Sequence, residues 1–259
     1  MINPTHYPLL VFAISFSSLW LSAWIGWSLL RRQRAMESDL REDFGLILAA
    51  SLTLLGLIIG FSFSMATSRY DLRKNYEEAE ANAIGTEYFR ADLLPFAEAA
   101  KVRSLLRNYL DQRIEFYQAD DEQHLQQINA RIVKLQNELW SVVAAAAEAH
   151  PTPVVALTVS GMNDVLNSQG YTQAAFWNRI PTTAWALMAF IALGCNLLVG
   201  YGSRSTTSGS KLLPILPFIV SVAFMLIADI DSPRHGIIRV KPQNLISLSE
   251  SLQVPNLSN

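Results

Sequence analysis

The sequence predicts an all-α membrane protein that has four transmembrane helices and a helical extramembrane bundle inserted between the second and third spans. Three observations support this prediction. Hydrophobic residues make up 51% of the 259 residues and charged residues only 16%, so the chain is more apolar than an average soluble domain. Long uncharged segments occur in the first and last thirds of the chain. The charged middle region has helical periodicity throughout.

The predicted organisation has four parts. A transmembrane hairpin at residues 8–67 contains spans 1 and 2, and a second hairpin at residues 182–229 contains spans 3 and 4. The helical extramembrane domain covers residues 68–181, and a C-terminal surface segment covers residues 230–259. The net charge of −2 gives no basic surface for nucleic acid, so the lipid bilayer is the partner that the composition predicts.

The first span is predicted from Pro8 to Leu30. Trp20, Trp24 and Trp27 lie toward its far end, as in an interfacial aromatic belt. The residues before Pro8 include no Lys or Arg, so we expect a retained span and not a cleaved signal peptide.

The second span is predicted from Phe44 to Thr67. These uncharged residues reach roughly 36 Å as a helix, which is enough to cross a bilayer core. No proline follows until Pro95, so we expect one unbroken helix to continue from the membrane into the charged region.

Small residues recur along one side of this span at helical spacing. Two interpretations remain open, because such a side is a helix-packing surface in many membrane proteins and lines a path in a channel. The residues on this stripe are Gly45, Ala49, Thr53, Gly56, Gly60 and Ser64, of which Gly45, Ala49, Gly56 and Gly60 are the packing candidates.

Beyond the membrane, the same helix carries polar residues at helical spacing. A solvated face is the expected structure. The carboxylate of Glu80, if buried, would need an arginine or hydrogen-bonding partner, and a structural salt bridge is favoured over a role in an ion pathway. The polar residues of this stretch are Arg69, Asp71, Arg73, Asn75, Glu78, Glu80, Asn82, Thr86 and Arg90.

Three more helices are predicted in the extramembrane domain. Apolar residues have helical spacing across residues 96–119, and Asp120 or Asp121 is the expected N-cap of a helix that ends near His150. Another helix is expected over residues 153–176, with a potential break at Gly170. Together with the extended second helix they would form an antiparallel bundle.

Two further spans and a final helix are predicted after residue 181. The third span is predicted at residues 182–201 and the fourth at residues 212–228, with Pro214 and Pro217 near its start, where helices tolerate proline. Residues 243–253 are expected to form a final surface helix.

Four short segments resemble the bacterial bestrophin-like family of multi-pass membrane proteins, formerly a family of unknown function. They are Gly60-Phe61-Ser62-Phe63-Ser64-Met65-Ala66, Arg69-Tyr70-Asp71, Glu80-Ala81-Asn82-Ala83-Ile84-Gly85-Thr86 and Arg90-Ala91-Asp92-Leu93-Leu94-Pro95. The resemblance extends from about residue 44 to about residue 240. It includes the C-terminal pattern, in which an acidic-Pro-Gly turn precedes a short β-like run at residues 236–240.

This resemblance implies a remote relationship to the bestrophins, which are oligomeric anion channels with four membrane helices and an aromatic-lined neck in the second. It therefore implies a homo-oligomer and an inorganic anion as partner. The pore or gate candidates in this chain are Phe61, Ser62, Phe63, Ser64 and Met65.

Motifs for enzymatic chemistry were not found in the sequence. The histidines are dispersed, and no zinc, phosphate-loop or nucleophile-elbow pattern occurs, so neither catalysis nor a cofactor is predicted. The single cysteine, Cys195, lies in an apolar span and is interpreted as packing. No metal is predicted, and the weak candidates for a metal site are Asp229, Asp231 and His235.

The orientation and the function each have two alternatives. Basic residues in the short loops favour a cytoplasmic location for those loops, which would put both termini on the periplasmic side of a bacterial inner (plasma) membrane. The bestrophin analogy would instead place the helical domain in the cytoplasm. The basic residues of the short loops, on which the predicted orientation depends, are Arg31, Arg32, Arg34, Arg41, Arg204 and Lys211.

For function, an ion channel with its pore along the second span is favoured over a non-conducting scaffold or accessory subunit that docks a membrane-protein partner.

Overall fold

The computed structural model describes residues 7–30, 38–203 and 212–253, and within these ranges it contains helices and no strand. The all-α prediction is therefore confirmed. A π-helical turn (Gly26–Leu30) follows the first helix and a 3₁₀ turn (Ala91–Leu93) follows the second. The helices are α1 (Pro8–Ile25), α2 (Ser38–Arg90), α3 (Phe96–Gln118), α4 (Glu122–Ala149), α5 (Pro153–Trp177), α6 (Thr182–Gly202), α7 (Ile215–Asp231) and α8 (Gln243–Gln253).

The predicted continuity of the second helix is confirmed, since α2 runs for 53 residues without a break. The helix boundaries have local causes. The Asp121 carboxylate caps α4 by accepting the His124 N–H at 2.8 Å, and the Thr152 hydroxyl caps α5 by accepting the Val155 N–H at 3.2 Å. The potential break at Gly170 does not occur, because α5 continues through it to Trp177.

The chain divides into two compact units. The first unit comprises Met1–Tyr70 and Arg179–Arg239, and the second comprises Asp71–Asn178 and Val240–Asn259. The helix α2 contributes its first part to the first unit and its last part to the second.

The first unit has an apolar core to which α1, α2, α6 and α7 all contribute. By length and composition, three described segments are able to cross a membrane: Pro8–Ser28, Glu42–Leu93 and Pro153–Gly202. The helix α7 is equally apolar but only 17 residues long, so the total of four spans stays a prediction. The core residues are Leu19, Leu55, Met188, Ala192, Cys195, Val220 and Phe224.

Two glycines allow α1 and α6 to approach each other closely. A Cβ at Gly200 would collide with the backbone carbonyl of Ala23, and a Cβ at Gly26 would collide with that of Leu197. The Ser22 hydroxyl donates to the Leu193 carbonyl at 2.8 Å at the same contact. Small residues and a side-chain hydrogen bond therefore join the first and third predicted spans, as is common between membrane helices.

The second unit is a bundle of the last part of α2 with α3, α4, α5 and α8. Helix α3 contacts α4 and α8, and α4 contacts α5. All five helices contribute apolar side chains to the core of this unit. The core includes Ile84, Val102, Leu106, Tyr109, Ile128, Ile132, Leu139, Met162, Val165 and Leu245.

The β-like run predicted at residues 236–240 is wrong. The N–H groups of Ile237 and Ile238 donate to the two carboxylate oxygens of Asp229, at 2.7 and 2.9 Å, and not to a neighbouring strand. A side chain at the end of α7 thus satisfies the backbone that a strand would have paired. The final helix, α8, is confirmed over Gln243–Gln253.

Candidate functional site

The membrane part of α2 has one face that packs within its own chain and one that does not. Leu55, Ser62 and Ala66 recur at helical spacing and are 3%, 4% and 0% exposed, respectively. Ala66 contacts Ile180, Ile227 and Ile230, so this face is held by the segments around α6 and α7.

The structure separates the predicted pore residues. Phe61, Ser64 and Met65 lie together on the outward face, and Phe61 is 63% exposed. Phe63 is 40% exposed at the edge of that face. Ser62 instead lies on the buried face, so within one chain it is not available to line a path.

The stripe of small residues lies on the outward face, beside the exposed side chains of Leu46 and Leu57. A Cβ added at Gly45, Gly56 or Gly60 would meet no other atom within 4 Å. Among the described residues, none packs against these three glycines, so both interpretations now require another copy or another molecule. In the second unit, α2 carries exposed polar residues that also recur at helical spacing: Asp71, Asn75, Glu78, Asn82 and Thr86.

The inward face of α2 carries charged side chains where it leaves the apolar stretch. In the first unit, Arg69 Nη1 lies 3.6 Å from Asp231 Oδ1. Both Asp231 oxygens also accept the backbone N–H of Ile180 at 3.2 Å. This cluster connects the end of the second span to the residues that precede α6.

Asp229, Asp231 and His235 were the weak metal candidates. The Asp229 oxygens accept backbone N–H groups, Asp231 contacts Arg69, and the His235 ring stacks on Tyr7 with centroids 5.2 Å apart. Within the described ranges, no three His, Cys, Asp or Glu side chains converge on a metal position.

Glu80 is completely buried in the second unit and has the arginine partner that burial requires. Arg113 Nη2 donates to Glu80 Oε2 at 3.1 Å, and Arg113 Nε donates to the other oxygen. The hydroxyls of Tyr117 and Thr172 also donate to Oε2, at 3.4 and 3.2 Å. Burial lowers the pKa of Arg113, but the charge and hydrogen bond of Glu80, together with Tyr109 and Tyr117, hold that pKa above its ordinary value. The predicted salt bridge is therefore present.

Glu77 has a role that the sequence did not indicate. Its Oε1 accepts the backbone N–H groups of Asn244 and Leu245 at 2.9 and 3.0 Å, and its Oε2 accepts the Asn244 amide at 2.6 Å. Glu77 therefore caps the start of α8 from another helix. Arg73 is also buried on this face. The spacing of Arg73, Glu77 and Glu80 with the apolar Ile84 was the available signal.

Cys195 is buried, and its thiol donates to the Ser51 carbonyl at 3.3 Å, as a packing residue between α6 and α2. The basic loop residues used for the orientation lie outside the described residues: Arg31, Arg32, Arg34, Arg204 and Lys211, and the side chain of Arg41.

Two of three comparisons with known proteins gave a match, one to a family model and one to solved structures. A model of the bestrophin-like domain matches residues 11–245. A search of curated proteins found no match. The structure is similar to the crystal structure of a bacterial bestrophin homologue from Klebsiella pneumoniae, with a TM-score of 0.63 and 13% identity, covering 94% of this chain and 96% of that chain.

Two further crystal structures have the same fold. A single-residue variant of the Klebsiella pneumoniae homologue matches with a TM-score of 0.65 at 10% identity, covering 97% of this chain and 98% of that one. A variant described as a membrane protein matches with a TM-score of 0.64 at 12% identity, covering 94% and 96%. At these identities the likeness shows a shared fold.

Proposed function

The chain belongs to the bestrophin-like family, and on this premise we propose that it is a homo-oligomeric ion channel of the membrane whose pore runs along α2. The observation that carries the proposal is the outward face of α2. This face combines the exposed side chains of Phe61 and Met65 with glycines at which an added Cβ would meet no described atom within 4 Å.

Several copies of this face around an axis would surround a path. The glycines leave room, and Phe61 and Met65 narrow the path at one level, where an apolar constriction can gate by excluding water. A closed ring of subunits satisfies this arrangement, because every copy then presents the same face to the axis.

We further propose that the conducted ion is an inorganic anion. The edge of a phenyl ring is electropositive, and the Ser64 hydroxyl is a hydrogen-bond donor, so Phe61 and Ser64 offer an anion two weak contacts. Arg69 contacts Asp231 and Arg73 is buried, so neither basic side chain belongs to the outward face. The selectivity would therefore depend on the ring and the hydroxyl.

The test is recording from the full-length protein in planar lipid bilayers. We expect conductance from wild type, and a larger conductance from Phe61→Ala because the constriction is widened. Phe190→Ala is the matched control, since Phe190 is 77% exposed on α6 and the same atoms are removed away from the proposed path. Wild-type protein that gives no current above a protein-free bilayer would overturn the proposal and favour the non-conducting scaffold.

The mass of the purified complex provides a separate test of the assembly. Native mass spectrometry in detergent is expected to give one closed oligomer, because an open series of masses does not form a pore. A monomer, or a constant complex with a different membrane protein, would contradict the ring and support an accessory subunit.

We also propose a bacterial inner membrane location with the helical domain and both termini on the periplasmic side. The chain has a single, buried cysteine, so Gln123→Cys introduces one exposed thiol at the start of α4. A membrane-impermeant maleimide should label this variant in spheroplasts, and wild type should stay unlabelled. Labelling of Gln123→Cys only after lysis would place the domain in the cytoplasm.

A further inference from the structure

Glu87, in the last turn of α2, is a buried carboxyl group without a hydrogen-bond donor. Its side chain is 0% exposed, and among the described residues no group donates to either oxygen. Buried carboxyl groups normally have donors, as Glu77 and Glu80 do on the same face of this helix. Glu87 therefore differs in kind from its neighbours and requires an explanation.

The site is built to accommodate this carboxyl group. Glu87 faces Gly161 of α5, and a Cβ at residue 161 would collide with Glu87 Oε2 and press against Arg90 Nη1. Glycine at this position creates the space that holds both side chains between the two helices. The Thr158 hydroxyl donates to the Arg90 carbonyl at 3.1 Å one turn earlier on α5, so the contact includes a hydrogen bond between the helices.

The charges around Glu87 do not favour the ionised form of its carboxyl group. Arg90 on its own helix is the nearby cation, and Arg90 Nη1 already lies 4.0 Å from Asp164 Oδ2 on α5. On α3 and the 3₁₀ turn before it, Arg103 and Asp92 pair with each other. Burial raises the pKa of Glu87 to about 8, Arg90 opposes this effect, and Asp164 adds to it. The carboxyl group is therefore protonated at neutral pH.

We propose that Glu87 is a proton-binding site that controls the contact between α2 and α5 in the second unit. With the proton bound, the neutral carboxyl group packs against Gly161. Loss of the proton leaves a buried charge without a donor, and the segment of α5 around Gly161 separates from α2 so that water reaches the carboxylate. The inference does not depend on whether the protein conducts ions.

The direction of the pH dependence follows from linkage. When α5 separates, the exposed Glu87 takes an ordinary pKa near 4.5, whereas in the closed contact it keeps the pKa of about 8. The closed contact therefore binds more protons than the open one between these values. The closed contact has its full stability below about pH 4.5. The equilibrium constant between the closed and open states falls by up to tenfold per pH unit as the pH rises, and it levels off above about pH 8.

Hydrogen exchange of the full-length protein in lipid nanodiscs tests this proposal. After correction for the intrinsic exchange rate, the wild-type protection of residues 158–165 is expected to fall between pH 5 and pH 8 and then to level off. Glu87→Gln keeps the shape and removes the ionisation, so its protection should be independent of pH. Glu78→Gln is the matched control, because Glu78 is exposed on the same helix, and it should retain the wild-type profile.

A second variant keeps the proposal testable if Glu87→Gln does not fold. Asp164→Asn removes the carboxylate that competes for Arg90. The pH above which the protection of residues 158–165 levels off should therefore be at least about 0.5 unit lower than in wild type. Infrared spectra at pH 7 should also show the absorption band of a protonated carboxylic acid, and this band should be weaker in Asp164→Asn. A flat wild-type profile, or a Glu87→Gln profile with the wild-type slope, overturns the proposal, as does an unchanged profile in Asp164→Asn.

Discussion

Glu80 of α2 and Arg113 of α3 form an ion pair in which both side chains are 0% exposed. The Arg113 guanidinium also lies over the Phe116 ring, 4.4 Å from its centroid, so aromatic surface covers the pair. Water is excluded, and each charge relies on the other. The pair therefore stabilises the bundle mainly by making the loss of either partner costly.

The first prediction concerns this pair. Arg113→Met should reduce the free energy of unfolding by about 3–5 kcal/mol, because it leaves the Glu80 carboxylate buried without a counter-charge. The double variant Glu80→Gln with Arg113→Met should recover most of the loss. Denaturant unfolding followed by circular dichroism measures both values.

Lys134→Ala is the control for charge removal alone. Lys134 and Glu138 form an exposed pair with 3.9 Å between Nζ and Oε1, so the change should be within about 0.5 kcal/mol. A loss from Arg113→Met no larger than that of the control would show that the buried pair is not required.

The second prediction concerns the crossing of α1 and α6. Gly200→Ala should destabilise the protein by about 1–3 kcal/mol, because the new Cβ collides with the Ala23 backbone and the helices must separate. Gly194→Ala changes the same helix where a Cβ meets nothing within 4 Å, so it should be neutral or slightly stabilising. The melting temperatures in detergent, read from tryptophan fluorescence, compare the two variants. Equal temperatures would show that the close approach is not needed.

The third prediction concerns the attachment of α8. Glu77→Ala removes a carboxylate that accepts three hydrogen bonds from the start of α8, each worth about 1.5–3 kcal/mol when the acceptor is charged. Hydrogen exchange of residues 243–253 should therefore increase at least about tenfold. Glu78→Ala, at the exposed neighbouring position, should leave exchange unchanged. Equal exchange in the two variants would mean that apolar contacts alone hold α8.

Much of the fold was predictable because helix formation and membrane crossing depend on local patterns. The uncharged length before Thr67 and the absence of proline up to Pro95 predicted α2, and Asp121, one of the two predicted caps, marks the start of α4. These signals lie within a few turns of the residues they determine. The β-like run failed although its partner is local, because its backbone donates to the Asp229 carboxylate, and a backbone-to-side-chain hydrogen bond has no signature in the hydrophobic pattern.

The partners of individual residues were less predictable, because they come from distant parts of the sequence. Spacing indicated Gly56 and Gly60 as packing residues, yet the close approach within the chain is made by Gly26 and Gly200. Similarly, Ser62 and Ser64 look equivalent in sequence, and only the positions of α6 and α7 show which of them faces inward. A burial requirement for Glu80 was visible, but Arg113 as its partner was not.

The fourth prediction uses this difference between Ser62 and Ser64 to test which face of α2 lines the pore. In a Cys195→Ser background, Ser64→Cys presents a thiol on the outward face, whereas Ser62→Cys, at a position that is 4% exposed, presents it to the core of the same chain. A charged methanethiosulfonate reagent should reduce the current through Ser64→Cys channels by more than half, because it places a bulky charge beside Phe61. It should leave Ser62→Cys channels unchanged. Block at Ser62→Cys without block at Ser64→Cys would assign the path to the opposite face, and the packing within the chain would then have to open for conduction.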